Sequence, residues 1–284
     1  MASQFQTSNI SNLAASTSIS LTKPTGTVDG DLLVTVICCS GTAAPSSVPS
    51  GWTLIRSNDS GGSGTQASIH SYYKVASSEG SSYSWTSSGN PSGGMVLRIT
   101  GQDSSPIDAS SGYGDQGSNV FGNNVSAGGT ITQARVNELI LMAAVVYNAD
   151  SATPTLAGWE VNADNPTWTE LYDNNLNAGS GNNWVMGLAY AVRAAATATT
   201  GGTFDYTAGG GERAAAQTIL ITNLNSKTFT ETVTCTDTDT SNNVGFKLTV
   251  SDSTTTTDIV TGDEQKMWAT VNKSTTTWVN QDKT

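Results

Sequence analysis

Residues 32–39, LLVTVICC, form a nearly continuous apolar run between Asp29-Gly30 and Ser40-Gly41. A strand with one wet face alternates apolar and polar residues. An unbroken run this short predicts a central strand buried on both faces. SISLT, just before it, alternates and stops at Lys23-Pro24. WTLIRS also alternates, which predicts Trp52, Leu54 and Arg56 on one face and Thr53 and Ile55 on the other. ASIHSYYKVA, SYSWTSS and MVLRITG follow, each bounded by Gly, Ser or Asn. Many short strands with turn signals between them predict an antiparallel β-sandwich, jelly-roll-like in its use of two sheets.

The same phrasing returns later in the chain. Gly51-Trp52 matches Gly158-Trp159 at an offset of 107 (158 − 51), and Asp31-Leu32-Leu33 matches Glu138-Leu139-Ile140 at the same offset. Tyr73-Lys74-Val75 then matches Tyr190-Ala191-Val192 at 117, Ser84-Trp85-Thr86 matches Asp205-Tyr206-Thr207 at 121, and Ile99-Thr100 matches Ile221-Thr222 at 122. Order is kept, and the growth in offset implies an insertion of about ten residues after Trp159, in a Gly/Asn-rich stretch of the kind that tolerates insertion. The pattern predicts an internal duplication. ELILMAAVVY and MGLAYAVRAAATA could pass for helices alone, but their alignment with strands of the first copy predicts strands.

From residue 225 the composition shifts to Thr, Asp, Ser and Val. Thr232-Val233-Thr234-Cys235-Thr236-Asp237 has an echo in Leu248-Thr249-Val250-Ser251-Asp252, a weaker repeat with a thin apolar face. The expected division is residues 1–104 as one sandwich, 105–224 as its duplicate, and 225–284 as a Thr-rich β appendage that needs a neighbour to bury anything.

Charge narrows the partners. Only 12% of the 284 residues are charged, the net charge is -11, and the sequence pI is near 4.3. Phosphate backbones and anionic membrane surfaces repel such a chain, so neither nucleic acid nor membrane is an expected partner. The first residues, MASQFQTSNISNLAAS, have no basic segment followed by an apolar one, so no signal peptide is predicted. Three cysteines, Cys38, Cys39 and Cys235, have neither disulfide-framework nor zinc spacing and read as structural thiols, with Cys38 and Cys39 on opposite strand faces.

Reactive chemistry is sparse. His70 is the single histidine; it shares a strand face with Tyr72 and reads as a half-buried or exposed strand residue rather than a catalytic base. The glutamates at 79, 138, 160, 170 and 212 are scattered, and no pair is set at glycosidase spacing by the sequence. Asp237, Asp239 and Ser241 have the opening spacing of a calcium loop but lack its glycine and closing glutamate. No catalytic residue, metal site or cofactor is therefore expected. Trp52 and Trp159 read as plugs between sheets. Trp168, Tyr172 and Trp184, which flank the inserted loop, remain as candidate partner or glycan contacts, because aromatic rings stack on sugars and their neighbours bond hydroxyls. Trp268 and Trp278 are expected anchors to another surface.

The segments KPTGTVDGDLLVTVI, PSGWTLIRS, SYYKVAS, YSWTSS and VLRITGQDSSPID resemble a module of structural proteins of tailed bacteriophages, found in tail, fibre and head-surface components. The Thr/Asp tail is similar to the TETVTxxD repeats that end some of those proteins. The likeness covers most of residues 19–108 and the second copy more loosely, where Asn137-Glu138 replaces Gly-Asp. It implies a non-enzymatic β-sandwich virion protein and carries no catalytic residue across. The expectations that follow are a capsid-surface decoration protein on the virion exterior, or else a tail-fibre or baseplate protein that binds a receptor or host surface glycans. Its partners would be copies of itself, with a trimer expected, and the major capsid or other virion proteins.

Overall fold

The computed structural model describes residues 3–61, 65–108, 113–120, 125–126, 130–133, 135–148, 155–161, 166–177, 183–194, 198–200, 202–206, 212–224, 246–251 and 256–262. These residues contain strands and no α-helix, so the chain is all-β. In chain order the strands are β1 Gln4–Ala14, β2 Ser18–Thr22, β3 Leu32–Ser40, β4 Thr53–Asp59, β5 Ala67–Val75, β6 Ser82–Thr86, β7 Ser92–Thr100, β8 Gln102–Ile107, β9 Tyr113–Val120, β10 Val125–Ser126, β11 Thr130–Thr132, β12 Glu138–Asn148, β13 Leu156–Glu160, β14 Thr169–Asn177, β15 Asn183–Arg193, β16 Ala198–Thr200, β17 Thr203–Tyr206, β18 Glu212–Asn223, β19 Phe246–Ser251 and β20 Thr256–Gly262.

Residues 1–226 make one compact unit and 227–284 a second. In the first unit, two large antiparallel sheets run β1-β7-β3-β5-β4 and β14-β15-β12-β18-β8, with β9 also pairing β18. Smaller sheets are β2-β6 on one side and β10-β17-β13 and β11-β16 on the other. Of the second unit, the described part is the antiparallel hairpin β19–β20, paired from Phe246 with Gly262 to Ser251 with Thr256.

The continuous apolar runs explain how the layers stack. In β3, Leu32, Val34, Val36 and Cys38 enter one core, shared with Leu139, Leu141, Ala143 and Val145 of β12. Leu33 and Ile37 enter a different core, with Ile19, Leu21, Trp52, Tyr83 and Trp85. Met142, Ala144 and Val146, the alternate residues of β12, join a third with Leu156, Trp159 and Phe204. The two large sheets thus pack back to back, and each has a smaller layer on its outer face. A strand between two layers has no wet face, so both sets of alternate side chains must be apolar or internally bonded.

The shared central core also explains why the expected division at residue 104 falls inside a single compact unit. β8, just after it, pairs with β18 of the second sandwich. Polar side chains cross the same interface. The Gln217 amide donates to Asn58 Oδ1 at 2.7 Å and to the Ile69 carbonyl at 3.0 Å. Tyr172 Oη donates to Ser8 Oγ at 2.8 Å, and Asn174 Oδ1 accepts the Leu13 amide at 2.9 Å.

The two sandwiches correspond strand by strand. Leu32 pairs with Val75 and Ile99, and Leu139 pairs with Val192 and Ile221. These partners are 107, 117 and 122 residues apart (139 − 32, 192 − 75, 221 − 99), the offsets read from sequence. Both edge strands beside the insertion carry a bulge at the matching place, between Leu54 and Arg56 in β4 and between Glu170 and Tyr172 in β14. The bulge corrects the simple alternation expected for WTLIRS: it sets Arg56 opposite Ser71 and Ser57 opposite His70.

Candidate functional site

The outer face of the second sandwich gathers aromatic rings and carboxylates around the insertion. At Gly158 the backbone takes a positive φ of 60°, and the chain turns Trp159 inward to stack on Phe204 at 5.3 Å. Trp159 is 7% exposed, as expected for a plug between sheets. Its indole Nε1 donates to Glu170 Oε2 at 2.7 Å. Asp173 Oδ2 accepts the Leu156 amide at 3.2 Å. Both carboxylates therefore reach β13 from β14. In a regular strand, residues three apart point to opposite faces; the bulge at Leu171 brings this pair to one face. Burial, and then the neighbouring Glu170 charge, push the Asp173 carboxyl above its ordinary value, against the lowering by the Leu156 amide.

Trp168 is half-buried at the end of the insertion, against Ile131, Ile140 and Leu220. A half-exposed indole on the same outer face as two carboxylates can stack on a sugar ring while the carboxylates accept bonds from its hydroxyls.

The other sequence candidates lie elsewhere. Tyr172 is on the opposite face of β14, half-buried at the seam with Ser8. Trp184 is 1% exposed in the central core, tilted against Tyr147 at 4.9 Å. It faces the neighbouring sheet, so no partner reaches its ring while the sheets stay packed. Trp268 and Trp278 lie outside the described residues, as do Cys235 and Asp237 to Ser241.

His70 is fully buried, not half-buried or exposed. Both faces of its sheet are covered, which removes the wet face that an alternating pattern implies. His70 Nδ1 stands 2.7 Å from the hydroxyl of Ser57, which is exposed. Burial lowers its pKa to about 4. An imidazole this weakly basic draws little proton density from a serine hydroxyl, so the pair is suited to satisfying a buried ring rather than activating a nucleophile. Cys38 and Cys39 are buried thiols on opposite faces; Cys38 is in the central core, and Cys39 Sγ lies 3.2 Å from Ser68 Oγ.

Among the described residues no group of three or more His, Cys, Asp or Glu is placed to hold a metal ion. Glu170 and Asp173 were not singled out by sequence, because their common face depends on the bulge. Comparison with protein-family models, with curated proteins and with solved structures gives no match in any of the three.

Proposed function

We propose that this chain is a non-enzymatic structural protein of a tailed-bacteriophage particle, formed by internal duplication of one sandwich and placed on the capsid surface as a decoration protein. The observation that supports this reading is the fusion of two sandwiches through one core. His70, Asn58, Gln217 and Trp184 are all consumed in internal packing or bonding. What remains outside is a stiff block with a hydroxyl-rich, acidic exterior that keeps particles dispersed. Such a block adds packing surface to neighbours rather than chemistry. Quantitative mass spectrometry of purified particles tests it. A decoration protein appears at a copy number comparable to the major coat subunit; a handful of copies per particle overturns that placement.

The outer-face patch of Trp168, Glu170 and Asp173 favours a second reading, a tail-fibre or baseplate protein that contacts a glycan. Glycan-array binding that is lost in Trp168→Ala while Trp52→Phe binds normally would establish it. Trp184→Ala is no test of this site, since the ring is in the core and its loss reads as destabilisation.

A further inference from the structure

Seven large apolar side chains are exposed among the described residues, and five of them, Val28, Val75, Val136, Val192 and Leu224, lie at one end of the first unit. Strand register places them there. Val75 is paired with Leu32 at the start of β3, and Val192 with Leu139 at the start of β12. Cross-sheet contacts give β3 and β12 the same direction. A Cβ on Gly93, which pairs with Cys38, would stand 3.0 Å from Met186, which pairs with Val145. Cys38 and Val145 hold matching places in the two strands, so both strands start at this end. The turns before them are joined by polar contacts. Gln102 Nε2 donates to the Gly30 carbonyl, the Leu224 amide donates to that of Gly101, and Asn223 Nδ2 donates to that of Val136.

The charge at this end differs from the rest. Lys74 pairs with Glu79 at 2.8 Å, Arg98 with Asp31 at 2.6 Å and Arg135 with Asp103 at 2.9 Å. Each acid in these pairs is matched by a base, within a chain of net charge -11. On the outer face of the second sandwich, by contrast, Glu170 adds to the field on Asp173, and neither is paired with a base among the described residues. Two copies that met through such flanks would bring like charges together. Two copies that meet through the balanced, valine-bearing end do not.

We infer that this end is a self-association surface, on which a second copy of the chain docks end to end through the same residues. Such an isologous contact needs a patch that complements itself, and aliphatic side chains at the same end as internally neutralised ion pairs meet that need. The inference does not rest on the particle assignment: it is read on the isolated chain, whereas copy number is read on particles.

Sedimentation velocity of the full chain over a concentration series, at low and high salt, tests it. Wild type is expected to shift from monomer to dimer, and the shift should persist in high salt because the contact is apolar. Val75→Asp/Val192→Asp should weaken association by roughly tenfold or more, and Val75→Ser/Val192→Ser by less. Val48→Asp, outside the patch, should leave it unchanged. Thermal melts of each variant confirm folding. A wild type that stays monomeric over the series overturns the inference. So does a Val75→Asp/Val192→Asp double variant that dimerises like wild type, or a dimer lost in Val48→Asp alone.

Discussion

The two sandwiches apply one plan to their outer layers and fill it differently. In each, a glycine with positive φ, Gly51 or Gly158, turns the next tryptophan under the small sheet. Trp52 packs edge-on against Tyr83 at 5.2 Å, and Trp159 stacks on Phe204, the residue matching Tyr83 at offset 121. The second sandwich then inserts residues 160–168 before its edge strand and places Glu170 where the first has Leu54. Trp159 Nε1 gains an acceptor, while Trp52 Nε1 is buried without one.

Behind the tryptophan the difference is one of volume. His70 fills the first sandwich at the position where the second has Gly187, two residues before Tyr72 or Ala189. A Cβ on Gly187 would stand 2.5 Å from Leu156 Cδ1, so β13 closes onto bare backbone there. The comparison teaches that the two sandwiches share a packing geometry, with its volume supplied by different residues. The acid at the start of the central strand also meets different surroundings. Asp31 bonds Arg98 on β7, whereas Glu138 is in register with Arg193 on β15, and both of these residues are fully buried.

The strongest way to break the comparison is to remove the two tryptophans in turn. Trp52→Ala and Trp159→Ala should each lower stability by about 3–5 kcal/mol, as loss of a buried aromatic does. Denaturant unfolding checks this, and a large cost at one position with almost none at the other would deny that the two rings hold equivalent places.

The next largest effect belongs to the first sandwich alone. His70 titrates near 6.5 when unfolded and at about 4 when folded, so its folded pKa is depressed by burial. The proton is bound preferentially by the unfolded chain, and stability falls as pH drops through the window from 6.5 to 4. The fall is up to about 3 kcal/mol. His70→Gln should flatten that part of the pH–stability curve, as followed by urea midpoints between pH 7 and 4. An unchanged slope would assign the acid sensitivity to carboxylates.

The smallest effect sharpens the equivalence. Leu54→Glu copies Glu170 into the first sandwich and offers Trp52 Nε1 its missing acceptor. It should stabilise by about 1 kcal/mol, read as a raised melting temperature. A loss of stability would mean that β4 and β14 hold their side chains at different distances from the indole.

Much of the fold was legible in the sequence. The strands, the doubly buried runs and the offsets of 107, 117 and 122 follow from residues that must either alternate or stay apolar. The site was less legible. Glu170 and Asp173 share a face because of a bulge, which adds one residue to the spacing and leaves no mark in a single sequence. Tyr172 and Trp184 looked like companions of Trp168 because they lie near it in the chain. Strand alternation and pairing carry both to the central face instead. The exposure expected for His70 failed for the same reason that the two sandwiches read as separate domains: nothing in LLVTVICC states what covers its second face.

The sequence alone determined that this chain would be all-β, with central strands unable to tolerate water on either side, because side-chain periodicity and backbone pairing are local. Tertiary structure decided that the two central strands shelter each other, since apolar surface specifies only that it must be covered. It also decided which polar groups became packing pieces and which ones stayed in water, because that depends on which layer lies above each residue.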